Sequence, residues 1–370
     1  MTSLGRRIAA LVRAEGPITI ERFWNLALFD PEDGYYMRRD PFGRGGDFTT
    51  APEISQMFGE LVGAWLLAAW RALGAPSPFV LAEIGPGRGT LMADMLRVLR
   101  RLDPSILKAA RVTLVETSDR LARVQAERLA GFDLPLRHRK RIEEIEALPL
   151  LLVGNELFDA VAIRQFVMTE DGWRERLVGL EADRPAFTTG APEPAATRLL
   201  QRLGPAPAGT VFEVSPARLA IAEAIGARLA RDGGAALLID YGHAAPGFGD
   251  TLQAVRRHAF ADPLAEPGEA DITSHVDFAA LAARLARPGL HVAPIMPQGA
   301  FLLSLGLRER AIALARAAAT EDERDAVLAA AHRLAGTGPN AMGELFKVLV
   351  AASRPLPLPP FPAEHAGSGD

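Results

Sequence analysis

The chain has 370 residues, 49% hydrophobic and 23% charged, an ordinary balance for a globular enzyme with one large core and room for additions. A net charge of −4 argues against a non-specific nucleic-acid binder. The absence of cysteine excludes disulfides, thiolate metal sites and a cysteine nucleophile, and no metal is expected.

Residues 1–75 read as an N-terminal helical region interrupted by one long loop. Leu4, Ile8, Leu11 and Val12 share a helical face. The stretch lacks the long apolar core and cleavage site of a secretory signal. Glu15 and Glu21 follow soon after its arginines, which does not suit a transit peptide, so a folded helix of a cytoplasmic protein is expected. No apolar stretch approaches the roughly 20 residues of a membrane span. A second helical patch covers Glu21 to Leu28. The loop from Asp30 to Ser55, DPEDGYYMRRDPFGRGGDFTTAPEIS, is long enough to be functional. Pro52 is expected to open one helix running to Trp70, with Glu53 in its first turn. Thr49 and Thr50 stand where a helix cap falls, and equally where a loop closing over a ligand would touch it.

From Phe79 strands and helices alternate: 79–84, 90–101, 111–116, 119–130, 134–138 and 150–154. This pattern implies a parallel sheet with right-handed crossovers, binding its ligand at the carboxyl ends of the strands. At the first such end stands LAEIGPGRGTL, with Gly85, Gly87 and Gly89 between strand and helix. Glycines accept positive φ and let a ligand touch the backbone, and a helix start offers free N–H groups. Glu83 before them suits a ligand with an ammonium group better than one with phosphates. S-adenosylmethionine (SAM) has that ammonium. The second strand ends in Glu116, where an acid grips a ribose diol. Thr117 beside it, Ile142 in the 139–143 loop and Asn155 at the fourth strand end are placed against the same ligand. Glu156 follows the fourth strand directly. Asp159, three residues on, could share a turn face with it and hold a guanidinium, or could cap a helix. His275, after Thr273 and Ser274, is a candidate orienting or proton-handling group.

Past Ala160 the pattern changes to a β-hairpin, 162–168 and 173–180, then a Pro/Ala/Gly-rich loop or insertion at 182–209. Phe212 to Val214, a helix at 216–231 and a strand at 236–239 are expected to resume the sheet. Residues 243–275 read as a second irregular region. Helices at 276–287 and around 300–335, the latter as two Ala-rich helices, follow, then a last strand at 345–350 and a frayed tail, 351–370. The expected division is thus an N-terminal region, 1–75, and a core, 76–350, with insertions at about 161–210 and 243–335.

Eight motifs in this order carry a family resemblance: DGYY at 33–36, GDFTTAPEIS at 46–55, EIGPGRGTL at 83–91, NELFDA at 155–160, FEVSPA at 212–217, IDYG at 239–242, GDTLQA at 249–254 and GEADITSHVDF at 268–278. Together they resemble the MidA-like SAM-dependent methyltransferases, relatives of the mitochondrial complex I assembly-factor methyltransferase. The likeness covers nearly the whole chain. It implies an α/β class I methyltransferase fold, a Rossmann-like, mostly parallel sheet with an antiparallel last strand. It implies SAM as cofactor and a protein substrate, an arginine side chain of a complex I-type subunit. NELFDA and TSH look like the acid loop and Thr-x-His loop of arginine methyltransferases, although here one Glu and one Asp stand close together in place of two separated Glu residues. Two other readings stay open: an assembly factor that binds SAM without turnover, and an NAD-dependent oxidoreductase on the same fold. The sequence says nothing of oligomeric state.

Overall fold

The structure, a computed structural model, describes residues 1–38 and 50–361. It divides into two compact units, one of Met1–Thr49, Phe158–Ala220 and Ala245–Asp277, the other of Thr50–Leu157, Ile221–Ala244 and Phe278–Asp370. The helix Gln56–Ala72, grouped by sequence with the N-terminal region, falls in the second unit, as do the helices from Phe278 to Ala335.

The second unit is built on one sheet. Its strands are β1 (Phe79–Ile84), β2 (Ala110–Val115), β3 (Leu136–Arg139), β4 (Leu150–Asn155), β5 (Gly234–His243) and β6 (Phe346–Ala352). The order is 3-2-1-4-5-6, with the short strands His291–Val292 and Met296–Pro297 pairing outside β6. β1 to β5 pair in parallel; β6 runs antiparallel to β5, Ala235 facing Ala352 and Tyr241 facing Phe346. This is the class I methyltransferase arrangement. Every residue of β1 and β4 is buried, as expected of strands covered by helices on both faces. Helices Gln56–Ala72 and Thr90–Leu102 supply Phe58, Trp65, Leu66, Met92 and Leu96 to the core.

The expected single helix from Pro52 is two. Ala51–Ile54 ends at Ser55, whose extended backbone (φ −162°, ψ 140°) breaks the helix while its Oγ accepts from Met57 N and caps the next, Gln56–Ala72. The helical region near 300–335 is three helices, Gln298–Ser304, Leu307–Ala317 and Glu321–Ala335; Gly306 at φ 94° separates the first two. No helix among the described residues is long and apolar enough to cross a membrane.

The first unit packs Ser3–Glu15 and Ile20–Phe29 through Leu4, Ile8, Val12, Phe23 and Trp24 onto Ile163, Val178 and Ile272. The expected hairpin forms, Arg164–Thr169 against Gly172–Glu181. The stretch read as a loop at 182–209 holds a further strand, Arg184–Pro192, on that hairpin's outer edge. Val211–Val214 does not resume the parallel sheet; it pairs antiparallel with Arg164–Thr169. Residues 243–275 are not wholly irregular either. Gln253–Arg256, Ala259–Ala261 and Asp271–Thr273 form a small antiparallel sheet.

Candidate functional site

The carboxyl ends of β1, β2 and β4 bring most of the expected residues together in the second unit. After β1, Gly85, Gly87 and Gly89 adopt φ of 65°, 51° and 75°, a left-handed turn that residues with a Cβ disfavour. Gly85 N donates to Val115 O at 3.1 Å, tying the turn to the end of β2. A Cβ on Gly85 would stand 2.7 Å from Leu157 Cδ1, so the loop after β4 approaches the turn as closely as glycine permits.

Glu83 is 3% exposed, and its Oε2 has no hydrogen-bond partner among the described residues. Burial pushes its carboxyl well above the usual range, opposed only by the N–H of Met92. A buried, unsatisfied carboxylate oxygen is costly unless a cation or donor completes it. Asn155 is in the same condition: its Nδ2 donates to Glu156 Oε1 at 3.1 Å, while its buried Oδ1 lacks a donor.

Glu116 is held on both oxygens. Ser118 N donates to Oε1 at 2.7 Å and Gln125 Nε2 to Oε2 at 3.1 Å. Burial raises its carboxyl and these donors, with the Lys140 charge, pull it back. The neighbours expected beside it are less engaged. Thr117 is exposed, its carbonyl accepting from Lys140 Nζ at 2.8 Å. Ile142 is buried and opens the short 3-10 turn Ile142–Glu144. Thr50 stands at the N-cap position of Ala51–Ile54 without a side-chain cap bond. Thr49 lies outside the described residues.

Glu156 has φ 49°, left-handed and rare for a residue with a side chain. Its N–H donates to Ile239 O at 2.9 Å, fixing it to β5, and its Oε1 accepts from Ala51 N at 2.8 Å. No helix follows it, so neither it nor Asp159 caps one; Asp159 lies in a turn at the start of the next loop. Asp159 and His275 belong to the first unit. Sequence reasoning missed what joins them there: buried Arg218 donates from Nη2 to Asp159 O and Ser274 Oγ, and from Nη1 to His275 O. His275 N donates to Thr251 Oγ1 at 2.9 Å. Gln125 was missed too; nothing in a lone glutamine marks it in sequence.

A cavity of about 540 Å³ lies at the opposite, amino-terminal edge of the sheet, lined by Pro78, Arg100, Lys108, Arg111 and Asp133 among others. Arg111 is paired with Glu146, and Arg100 donates to the Phe132 carbonyl and lies over its ring.

The residues fit SAM. The open Glu83 and Asn155 oxygens call for donors, as an ammonium or amine would supply, and Glu116 is a fixed carboxylate able to accept from hydroxyls. Comparison with known proteins agrees. The profile of a family described as "Putative S-adenosyl-L-methionine-dependent methyltransferase" matches residues 61–296. The mitochondrial protein arginine methyltransferase NDUFAF7 homolog of Drosophila melanogaster is 34% identical, over 94% of this chain and 84% of its own. Protein arginine methyltransferase NDUFAF7 of Danio rerio is 36% identical over 83% of this chain and 78% of its own. A Burkholderia thailandensis protein crystallised with S-adenosyl-homocysteine (SAH) bound superposes with a TM-score of 0.82 at 29% identity, covering 95% of this chain and 92% of that one.

Proposed function

The chain belongs to the S-adenosyl-L-methionine-dependent methyltransferase family, and from that premise we propose that it methylates an arginine side chain of a protein acceptor. SAM, its cofactor, supplies a methyl group on a sulfonium. The methyl would pass by in-line displacement from that sulfur to a guanidinium nitrogen, which gives up a proton to solvent as SAH leaves; alignment alone can contribute roughly 7–11 kcal/mol. The relatives named protein arginine methyltransferases support the acceptor class. They leave the oxidoreductase reading without support. The resemblance to complex I assembly factors extends the proposal to a subunit of that respiratory complex.

The observation that carries the reading is Glu156. Backbone strain at a non-glycine residue is retained where the surroundings enforce it, and points to function. Here β5 holds the backbone, and Ala51 and Asn155 hold the carboxylate, at the end of β4. A fixed carboxylate attracts and orients a guanidinium. Asp159 and His275 belong to the first unit, where Arg218 sets their backbones, and are proposed as catalytic candidates in their own right.

The test is Glu156→Gln, which keeps the oxygen that accepts from Ala51 and removes the charge. Melting temperature and SAH affinity should hold, and kcat should fall on the order of 100-fold. Undiminished methyl transfer would remove Glu156 from catalysis. Loss of SAH affinity instead would make it a cofactor ligand.

A further inference from the structure

The helix Asp119–Leu129 buries Leu121, Gln125 and Leu129, a stripe at spacing i, i+4, i+8. An apolar residue would satisfy that pattern, yet its centre is a glutamine with no exposed surface. Buried amides are retained where every polar atom has a partner. Gln125 meets that condition with three bonds. Its Nε2 donates to Gly87 O at 2.8 Å and to Glu116 Oε2 at 3.1 Å, and its Oε1 faces His138 Nε2 at 3.0 Å.

These contacts fix the orientation of the amide and the tautomer of the imidazole. Gly87 O and Glu116 Oε2 both accept, so the group facing them is the NH2 and the amide cannot be flipped. Its oxygen then faces His138, which must carry its proton on Nε2. Burial, and next the charge of Lys140, hold His138 below the ordinary histidine value, so the ring is neutral and donates without adding a charge. The helix also lies against the turn itself: a Cβ on Gly89 would meet Gln125 Cγ at 3.5 Å.

We propose that Gln125, oriented by His138, is a positioning residue that sets the Glu116 carboxylate and the Gly87 carbonyl in register for the cofactor's ribose. It acts through those two groups and touches no reacting atom. One amide hydrogen holds the glycine turn and the other the acid of the next strand, so the two halves of the nucleoside cradle cannot drift apart. The inference rests on the reading of this edge as the SAM site.

The experiment titrates SAH into wild type, Gln125→Met, His138→Leu and His138→Gln, alongside melting temperatures and initial rates. Gln125→Met keeps the volume and removes all three bonds; it should raise the SAH dissociation constant about tenfold and the KM for SAM in step, leaving kcat within about twofold. His138→Leu should weaken SAH binding in the same sense. His138→Gln, which returns a donor at similar reach, should restore it. The proposal is overturned if Gln125→Met binds SAH as wild type does. It is overturned equally if affinity, melting temperature and kcat fall together and His138→Gln is no better than His138→Leu, the pattern of a merely structural role. Wild-type protein that takes up no SAH would overturn the cofactor site itself, a result distinct from either.

Discussion

Gly87, at φ 51°, sits in left-handed backbone within the proposed cradle. A β-branched residue in the left-handed region is strained, and its methyls would occupy space at the strand end. Gly87→Val should therefore give no saturable heat on titration with SAH while its circular dichroism spectrum stays that of wild type. Saturation at wild-type affinity would move the cofactor off this turn. Glu83 makes a second prediction, through protons. Burial holds its carboxyl well above the ordinary 4.5. A raised acid contributes stability below its ordinary value and loses it as pH rises through the raised one. The ammonium of SAH favours the carboxylate, so binding near the raised value should release a proton. Titrations in buffers of different ionisation enthalpy should show that release, and Glu83→Gln should remove most of it. A heat independent of buffer would contradict the assignment. Glu83 and Glu116 were legible in sequence because acids at two successive strand ends are a pattern. The strain at Glu156 and the bonds of Gln125 were not, since neither a φ angle nor a side chain's partners are written in residue order.

Among the elements, the β4–β5 pairing is the most exacting. Gly234 has φ 125°, and a Cβ there would stand 1.9 Å from Leu150 O, inside the partner strand's backbone. Gly234→Ala should destabilise the protein by at least about 3 kcal/mol, seen as a large fall in melting temperature or as insoluble protein. A melting temperature within a degree or two of wild type would show that the two strands can part there without cost. The alternation of strand and helix from Phe79 was legible because fully buried strands read as continuous apolar runs. Arg184–Pro192 was not, because it is an edge strand, largely exposed, with Pro185, Gly190 and Pro192 in a stretch without hydrophobic alternation. Val211–Val214 was legible as a strand, but four residues do not say which sheet they join. The helix break at Ser55 escaped notice because serine caps and serine inside a helix look alike in sequence.

At the scale of the whole molecule, order along the chain and membership in a unit diverge. The first unit is assembled from three separated segments, so a division read from contiguous blocks could not anticipate it. The mostly parallel sheet with its last strand reversed was anticipated, by resemblance more than by periodicity; its order, 3-2-1-4-5-6, was not, since pairing partners are long-range. The carboxyl edge of that sheet is the proposed SAM site; what the methyl reaches is the larger claim. The measurement that tests it most directly incubates purified protein with isotopically labelled SAM and extract from cells lacking its gene. The labelled acceptor is then digested and the methylated residue located by mass spectrometry. The account predicts label on arginine of a discrete protein, with initial labelling on the order of 100-fold slower when Glu156→Gln replaces wild type. Label on another residue type would contradict the acceptor assignment, and no label from protein that binds SAH would leave a cofactor-binding assembly factor.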